Sequence, residues 1–162
     1  KCTKSFVSGD SAGGGLSLGV TLSLKDDGSQ LPDAVMSLCP WAELDPVSES
    51  YETNASNDPY ISRDAISAFR DLYIENESDL KDPYASPVYG DYDGFPPLLI
   101  QVGGREVLLD DSLKVAEKAK KSGCEVKLEV WDDMVHVFQG YAPFLPEANE
   151  ALEAIAKFIS NK

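Results

Sequence analysis

The sequence has few of the residues that build metal sites and disulfide frameworks. Its 162 residues hold one histidine, His136, and three cysteines, Cys2, Cys39 and Cys124, an odd number with no CxxC spacing. Neither a disulfide scaffold nor a zinc site follows from that set, and unpaired thiols fit a reducing, cytoplasmic compartment. Positive charge is also scarce: 14 Lys and Arg stand against 28 Asp and Glu, a formal net charge of −14. That balance repels phosphate backbones and anionic lipid surfaces, and no dense basic stripe offsets it, which argues against nucleic acid as a partner. No apolar run reaches the roughly 18 residues of a membrane span. No D-x-D-x-D-G ladder occurs, so the acidic residues read as solvated surface and not as a cation site. An initiator Met is missing too, and the chain enters a strand-like run almost at once. A beginning inside a longer fold is therefore expected, and a signal or anchor upstream would not be visible.

What is present suffices for one folded domain. At 43% hydrophobic and 26% charged residues, the chain can bury a core, and its length is that of one ordinary domain. Thr3 to Ser8 reads as a strand, followed by a Gly-rich turn and a helix from Ala12 to Leu24 in which Leu16, Val20 and Leu24 recur at helical spacing. Asp26-Asp27-Gly28 ends that helix. Ala34 to Leu38 is a buried strand stopped by Cys39-Pro40. From Trp41 to Pro97 the composition shifts to aromatics, Asn/Asp, Ser and Pro, with one helix from Arg63 to Ile74 behind a Ser62 N-cap. This segment reads as an insertion that lines or covers a pocket. Leu98 to Val102 is a third strand and Ser112 to Ser122 a helix, capped by Asp111 and ended by Gly123. Glu125 to Val130 is a fourth strand. The last helix starts near Pro146 and gathers Ala148, Ala151, Leu152, Ile155, Phe158 and Ile159 on one face. Alternating strands and helices imply an α/β fold with a parallel sheet covered on both faces.

Gly9-Asp10-Ser11-Ala12-Gly13 has the G-x-S-x-G form of a nucleophile elbow, in which a sharp strand-to-helix turn lifts a serine above the sheet edge. The two glycines are expected where neighbouring chain leaves no room for a Cβ. The turn also puts Ser11 at a helix N-terminus, where the Ala12 N–H can bind an oxyanion. His136 lies just beyond the fourth strand, where the base belongs in the chain order Ser, acid, His. A lone histidine is ordinarily a packing or surface residue; this position gives it a chemical reading as well. Three carboxylates follow the third strand: Glu106, Asp110 and Asp111. Glu106 stands at the carboxyl end of the strand, where catalytic loops lie. Asp110 is the reserve acid, and helix capping accounts for Asp111. Trp41, Tyr51, Tyr60, Phe69, Tyr73, Tyr84 and Tyr89 of the insertion are candidates to line an acyl or alcohol pocket, with packing of the insertion to the sheet as the competing use.

The segments GDSAGG, PPLLIQVGGREVLLDD and HVF resemble, in that order, the carboxyl-terminal half of the hormonesensitive-lipase-like (bacterial type IV) esterases. The likeness runs over nearly the whole chain, so residues 1–162 are expected to be the second half of an α/β-hydrolase catalytic domain, with 41–97 as a cap- or lid-type insertion. It implies Ser11 as nucleophile, His136 as general base and Glu106 as the acid, at the place where the family's D-P-L-x-D-[DE] motif opens. Glu106 stands 30 residues before His136, as that motif does, but puts Glu where the family has Asp. The family's His-Gly-Gly-Gly oxyanion loop does not occur in these residues. An amino-terminal half carrying it, on the same polypeptide or a separate chain, is therefore an expected partner, and without it the Thr3 to Ser8 strand would be an open sheet edge.

The expected function is a serine carboxylesterase acting on short- to medium-chain acyl esters of uncharged alcohols, with no metal or organic cofactor. Its partners are a small-molecule ester and, as an admitted arrangement, a second copy of the chain. The rival readings are a hydrolase-like small-ligand receptor without turnover, and an inert fragment lacking its oxyanion-hole half. Retention of both Ser11 and His136 disfavours the receptor.

Overall fold

A computed structural model describes residues 4–162. Cys2 and Thr3 lie outside the described residues. Four strands form one parallel sheet in the order β1 (Phe6–Asp10), β2 (Ala34–Leu38), β3 (Leu98–Gly103), β4 (Val126–Trp131). Among the described residues five α-helices accompany it: α1 (Ala12–Asp26), α2 (Ser50–Thr53), α3 (Arg63–Tyr73), α4 (Leu109–Lys121) and α5 (Pro146–Ser160). Short 3-10 turns at Glu77–Lys81, Pro87–Tyr89 and Phe138–Tyr141 complete the elements. Among the described residues no helix is long and apolar enough to cross a membrane.

Alternate residues of the strands feed two cores, as the two-residue period of a strand requires. Val35, Leu98 and Ile100 pack against Leu18 and Leu22 of α1 and Val115, Ala116 and Ala119 of α4. Ala34, Met36 and Leu99 pack on the opposite face against Ile155, Phe158 and Ile159 of α5. The sheet is thus covered on both faces, which explains why β2 and β3 read as continuous apolar runs.

Three local expectations are corrected. β1 begins at Phe6 and runs on through Gly9 and Asp10, because its ladder with β2 continues in register from Phe6↔Ala34 to Asp10↔Leu38. The Leu16 and Val20 stripe of α1 does not face the core: these side chains are 56% and 43% exposed, and Leu18 and Leu22 are buried in their place. The buried face of α1 is made largely of small residues, Gly14, Gly15, Ser17 and Gly19, so it carries little apolar signal. A Cβ at Gly15 would overlap the Trp41 carbonyl oxygen, which shows how closely the helix backbone lies against the start of the insertion. Finally, α4 begins at Leu109, so Asp111 lies inside its first turn and is not its cap. The Asp111 carboxylate reaches across instead to accept the backbone N–H groups of Ala42 and Glu43, both at 2.9 Å.

The helix at Arg63 does start behind Ser62, whose hydroxyl accepts the Ala65 N–H at 3.2 Å.

Candidate active site

In a parallel sheet all carboxyl ends lie on one edge, and this geometry collects the candidate residues. Ser11 directly follows β1, Cys39 directly follows β2, Glu106 comes three residues after β3, and His136 five residues after β4.

Ser11 sits at φ 55°, ψ −123°, a conformation that L-residues rarely adopt. Its neighbours hold it there. The Ser11 N–H donates to the Leu38 carbonyl at 2.9 Å, and the Ser11 carbonyl accepts from Trp41 N–H at 3.0 Å and Gly15 N–H at 3.1 Å. Gly9 is required, since a Cβ there would overlap the Gly13 carbonyl oxygen. Gly13 is not crowded in this way: a Cβ there would meet nothing within 4 Å, because the position faces the cavity beside Ser11. The expected reason for the second glycine is therefore corrected. Ala12 is the first residue of α1, so its N–H has no partner within the helix and stands next to the serine at the positive end of the helix dipole.

The structure brings Ser11, His136 and Glu106 together. His136 Nε2 lies 2.9 Å from Ser11 Oγ, and Nδ1 lies 2.7 Å from Glu106 Oε2. A carboxylate only accepts, so Nδ1 carries the ring proton and donates it to Glu106, which leaves Nε2 free to accept from the serine hydroxyl. Glu106 is fully buried and its other oxygen, Oε1, accepts the Gly103 N–H at 2.6 Å. Asp110, the reserve acid, is placed elsewhere: its carboxylate accepts the Ser50 N–H at 2.8 Å and ties α4 to α2.

A cavity of about 590 Å³ opens beside Ser11 between the first turns of α1 and the helix α3. Apart from Ser11 its walls are almost wholly apolar, with Leu16, Trp41, Ile66, Phe69, Leu72 and Tyr84 prominent. Of the seven aromatics named from the sequence, Trp41, Phe69, Tyr73 and Tyr84 line it. Tyr51 is buried in a cluster with Ile66, Val107 and Leu108, the Tyr60 hydroxyl meets that of Tyr141, and the Tyr89 hydroxyl donates to Glu43 Oε1 at 2.9 Å. The exposed α1 residue Leu16 thus has a use, as cavity wall.

Sequence reasoning missed Cys39, noted only as an unpaired thiol. Its Sγ, a Glu106 carboxylate oxygen and a His136 ring nitrogen all lie within 4.8 Å of one another. Among the described residues this is the one donor set close enough to suggest an ion, but its atoms are engaged in hydrogen bonds to one another and to backbone, so we assign no metal ligands. The available signal was positional: Cys39-Pro40 stops a strand at the same edge as the elbow.

A family model for the α/β hydrolase fold matches residues 1–140. An acetyl-hydrolase of Streptomyces hygroscopicus is 38% identical over 153 residues, which is 94% of this chain and 51% of that protein. A solved esterase of the bacterial hormone-sensitive lipase family superposes with a TM-score of 0.91 at 43% identity, over 94% of this chain and 51% of the other. EstE5, in a crystal soaked with p-nitrophenyl butyrate, gives 0.89 at 44% identity over 94% and 51%. The chain spans about half the length of the relatives it matches.

Proposed function

The chain belongs to the α/β-hydrolase-fold family, and from that membership we propose that it is a serine carboxylesterase working through an acyl-Ser11 intermediate. The observation that carries this reading is the continuous hydrogen-bonded line from Ser11 Oγ through His136 to Glu106, at 2.9 Å and 2.7 Å. Ser11 Oγ attacks the ester carbonyl while His136 Nε2 takes its proton. The Ala12 N–H stabilises the developing oxyanion. The imidazolium then returns the proton to the leaving alkoxide, and a water activated by the same ring releases the acid. Glu106 keeps the ring proton on Nδ1 and balances the imidazolium charge. Acyl transfer of this kind draws on no metal or organic cofactor.

The apolar cavity supports acyl esters of short to medium chain with an uncharged alcohol, since it offers volume but no charge to pair with. One oxyanion donor is fewer than such chemistry uses, and a missing donor costs about 100-fold or more. The relatives are about twice as long, and a His-Gly-Gly-Gly loop in such a further half would supply the rest.

The test is labelling by a fluorophosphonate probe, with the adduct located by peptide mass. Labelling at Ser11 that vanishes in Ser11→Ala is expected, together with a loss of p-nitrophenyl butyrate hydrolysis of about 10⁴-fold or more. Folded protein that leaves Ser11 unlabelled overturns the proposal.

A further inference from the structure

The strand β3 is buried along its whole length, and every residue in it but one is apolar or glycine. The exception is Gln101, fully buried, with an amide where a leucine would continue the run. Burying an amide is costly unless its groups are bonded, and here all of them are. Gln101 Nε2 donates to Glu129 Oε2 of β4 at 2.8 Å and to the Ala151 carbonyl of α5 at 2.9 Å, while its Oε1 accepts from Gln139 Nε2 at 3.1 Å. A carboxylate and a carbonyl only accept, so the amide has one orientation, nitrogen toward β4 and α5 and oxygen toward Gln139. Gln139, buried as well, must then offer its own nitrogen to Gln101, and its Oε1 is left to accept the Cys39 S–H at 3.8 Å.

Gln139 lies three residues beyond His136, in the 3-10 turn Phe138–Tyr141, and Val137 joins the two in the left-handed region at φ 51°. A β-branched residue held there is strained, and such strain persists only where neighbouring structure enforces it. Three contacts do so. The Val137 N–H donates to Cys39 Sγ at 3.4 Å, the Phe138 ring lies 5.5 Å from that of Trp131, and Gln139 donates to Gln101. The last of these reaches β3, the strand that ends in Gly103, whose N–H holds Glu106 Oε1 at 2.6 Å. Acid and base are therefore both referred to one strand, at positions two residues apart.

We infer that Gln101 is a positioning residue for His136: through Gln139 it fixes the turn that follows the imidazole and sets that turn against the strand that holds the acid. This rests on the reading of Ser11, His136 and Glu106 as a working triad. The packing of Phe138 keeps the turn on the sheet, but apolar contact has no direction, whereas the amide pair gives the turn one register. Neither glutamine lines the cavity beside Ser11. The link therefore bears on how the ring meets Ser11 Oγ and Glu106, and not on how substrate is held.

Methionine is unbranched like glutamine and lacks the amide, so Gln101→Met and Gln139→Met remove the link and keep most of the volume. With p-nitrophenyl butyrate as substrate, each is expected to lower kcat about tenfold, between the few-fold of one lost hydrogen bond and the roughly 100-fold of a misplacement of about 1 Å, with KM changed less than about twofold. The double variant should be no slower than the slower single, since the two residues form one link. Effects that multiply in the double variant, or wild-type kcat in Gln139→Met, overturn the inference. So does a lower melting temperature with unchanged kcat in Gln101→Met, which is what an amide of purely structural use would give. A readout free of ester turnover is the proton resonance of the imidazole Nδ1–H, unambiguous because the chain has one histidine. It should move upfield and broaden in both single variants as the ring loses its fixed distance from Glu106, and an unmoved resonance overturns the inference. Should Gln101→Met fail to fold, Gln139→Met decides alone by the same resonance. A protein that hydrolyses no ester but shows the upfield shift would sink the esterase reading alone.

Discussion

Glu106 reaches the imidazole by folding back over its own turn: its backbone N–H donates to the Gly103 carbonyl at 3.3 Å while its Oε1 accepts the Gly103 N–H. Both oxygens therefore face donors. Glu106→Gln must turn its amide NH₂ toward one of them, and the choice that spares Gly103 forces the imidazole proton onto Nε2, where it cannot accept from Ser11. We expect Glu106→Gln to lower kcat by about 10³- to 10⁴-fold, the scale known for the serine-protease triad when its acid is made an amide. Asp110→Asn keeps an oxygen for the Ser50 N–H and should stay within a few-fold of wild type. Steady-state kinetics on both variants check the assignment, and the reverse ranking would move the acid to Asp110. The serine and histidine were legible from a local pattern and from chain order. Glu106 over Asp110 was legible from its position relative to a strand end and from its place at the opening of the acid motif, 30 residues before His136. The placement of Cys39 beside Glu106, His136 and Val137 was not, because no local spacing encodes a contact between positions so far apart in the chain.

The segment Trp41 to Leu44 leaves β2 and becomes part of the cavity wall, and one carboxylate pins it. Asp111 is fully buried in α4, gives Oδ2 to two backbone N–H groups, and has no hydrogen-bond partner at Oδ1. Burial raises its pKa to about 7, against the opposing pull of the Ala42 and Glu43 N–H groups. A carboxyl whose folded pKa lies above its unfolded value of 3.8 favours folding fully at low pH, and loses that contribution as pH rises through about 4 to 7. Asp111→Asn removes the titration while keeping an acceptor for both N–H groups. The stability difference, wild type minus variant, is therefore expected to fall between about pH 4 and pH 7 in urea melts, and a flat difference over that range would refute it. This element also shows where pattern reading fails. The helix was found, but an acidic residue near its start looks like a cap whether it bonds its own helix or another chain segment. In α1, likewise, periodicity located an apolar stripe but could not say that the glycine face would take the core.

At the scale of the molecule, strand and helix alternation was enough to read a parallel sheet with both faces covered. The sheet then does what no residue does alone, bringing positions 11, 39, 106 and 136 to one edge. The cavity was legible only as a composition, since which aromatics line it depends on how α3 lies beside α1. One consequence follows for the stability of the whole. The elbow holds a serine at φ 55°, ψ −123°, where glycine alone is at ease, and such strain costs on the order of 1–3 kcal/mol. Ser11→Gly should therefore melt higher than the wild type, by about 2–4 °C for each kcal/mol of strain relieved in a domain of this size, whereas Ser11→Ala, which still bears a Cβ, should not. Calorimetry of the two variants would show whether the fold is held below its own thermal optimum by the strained residue of its elbow.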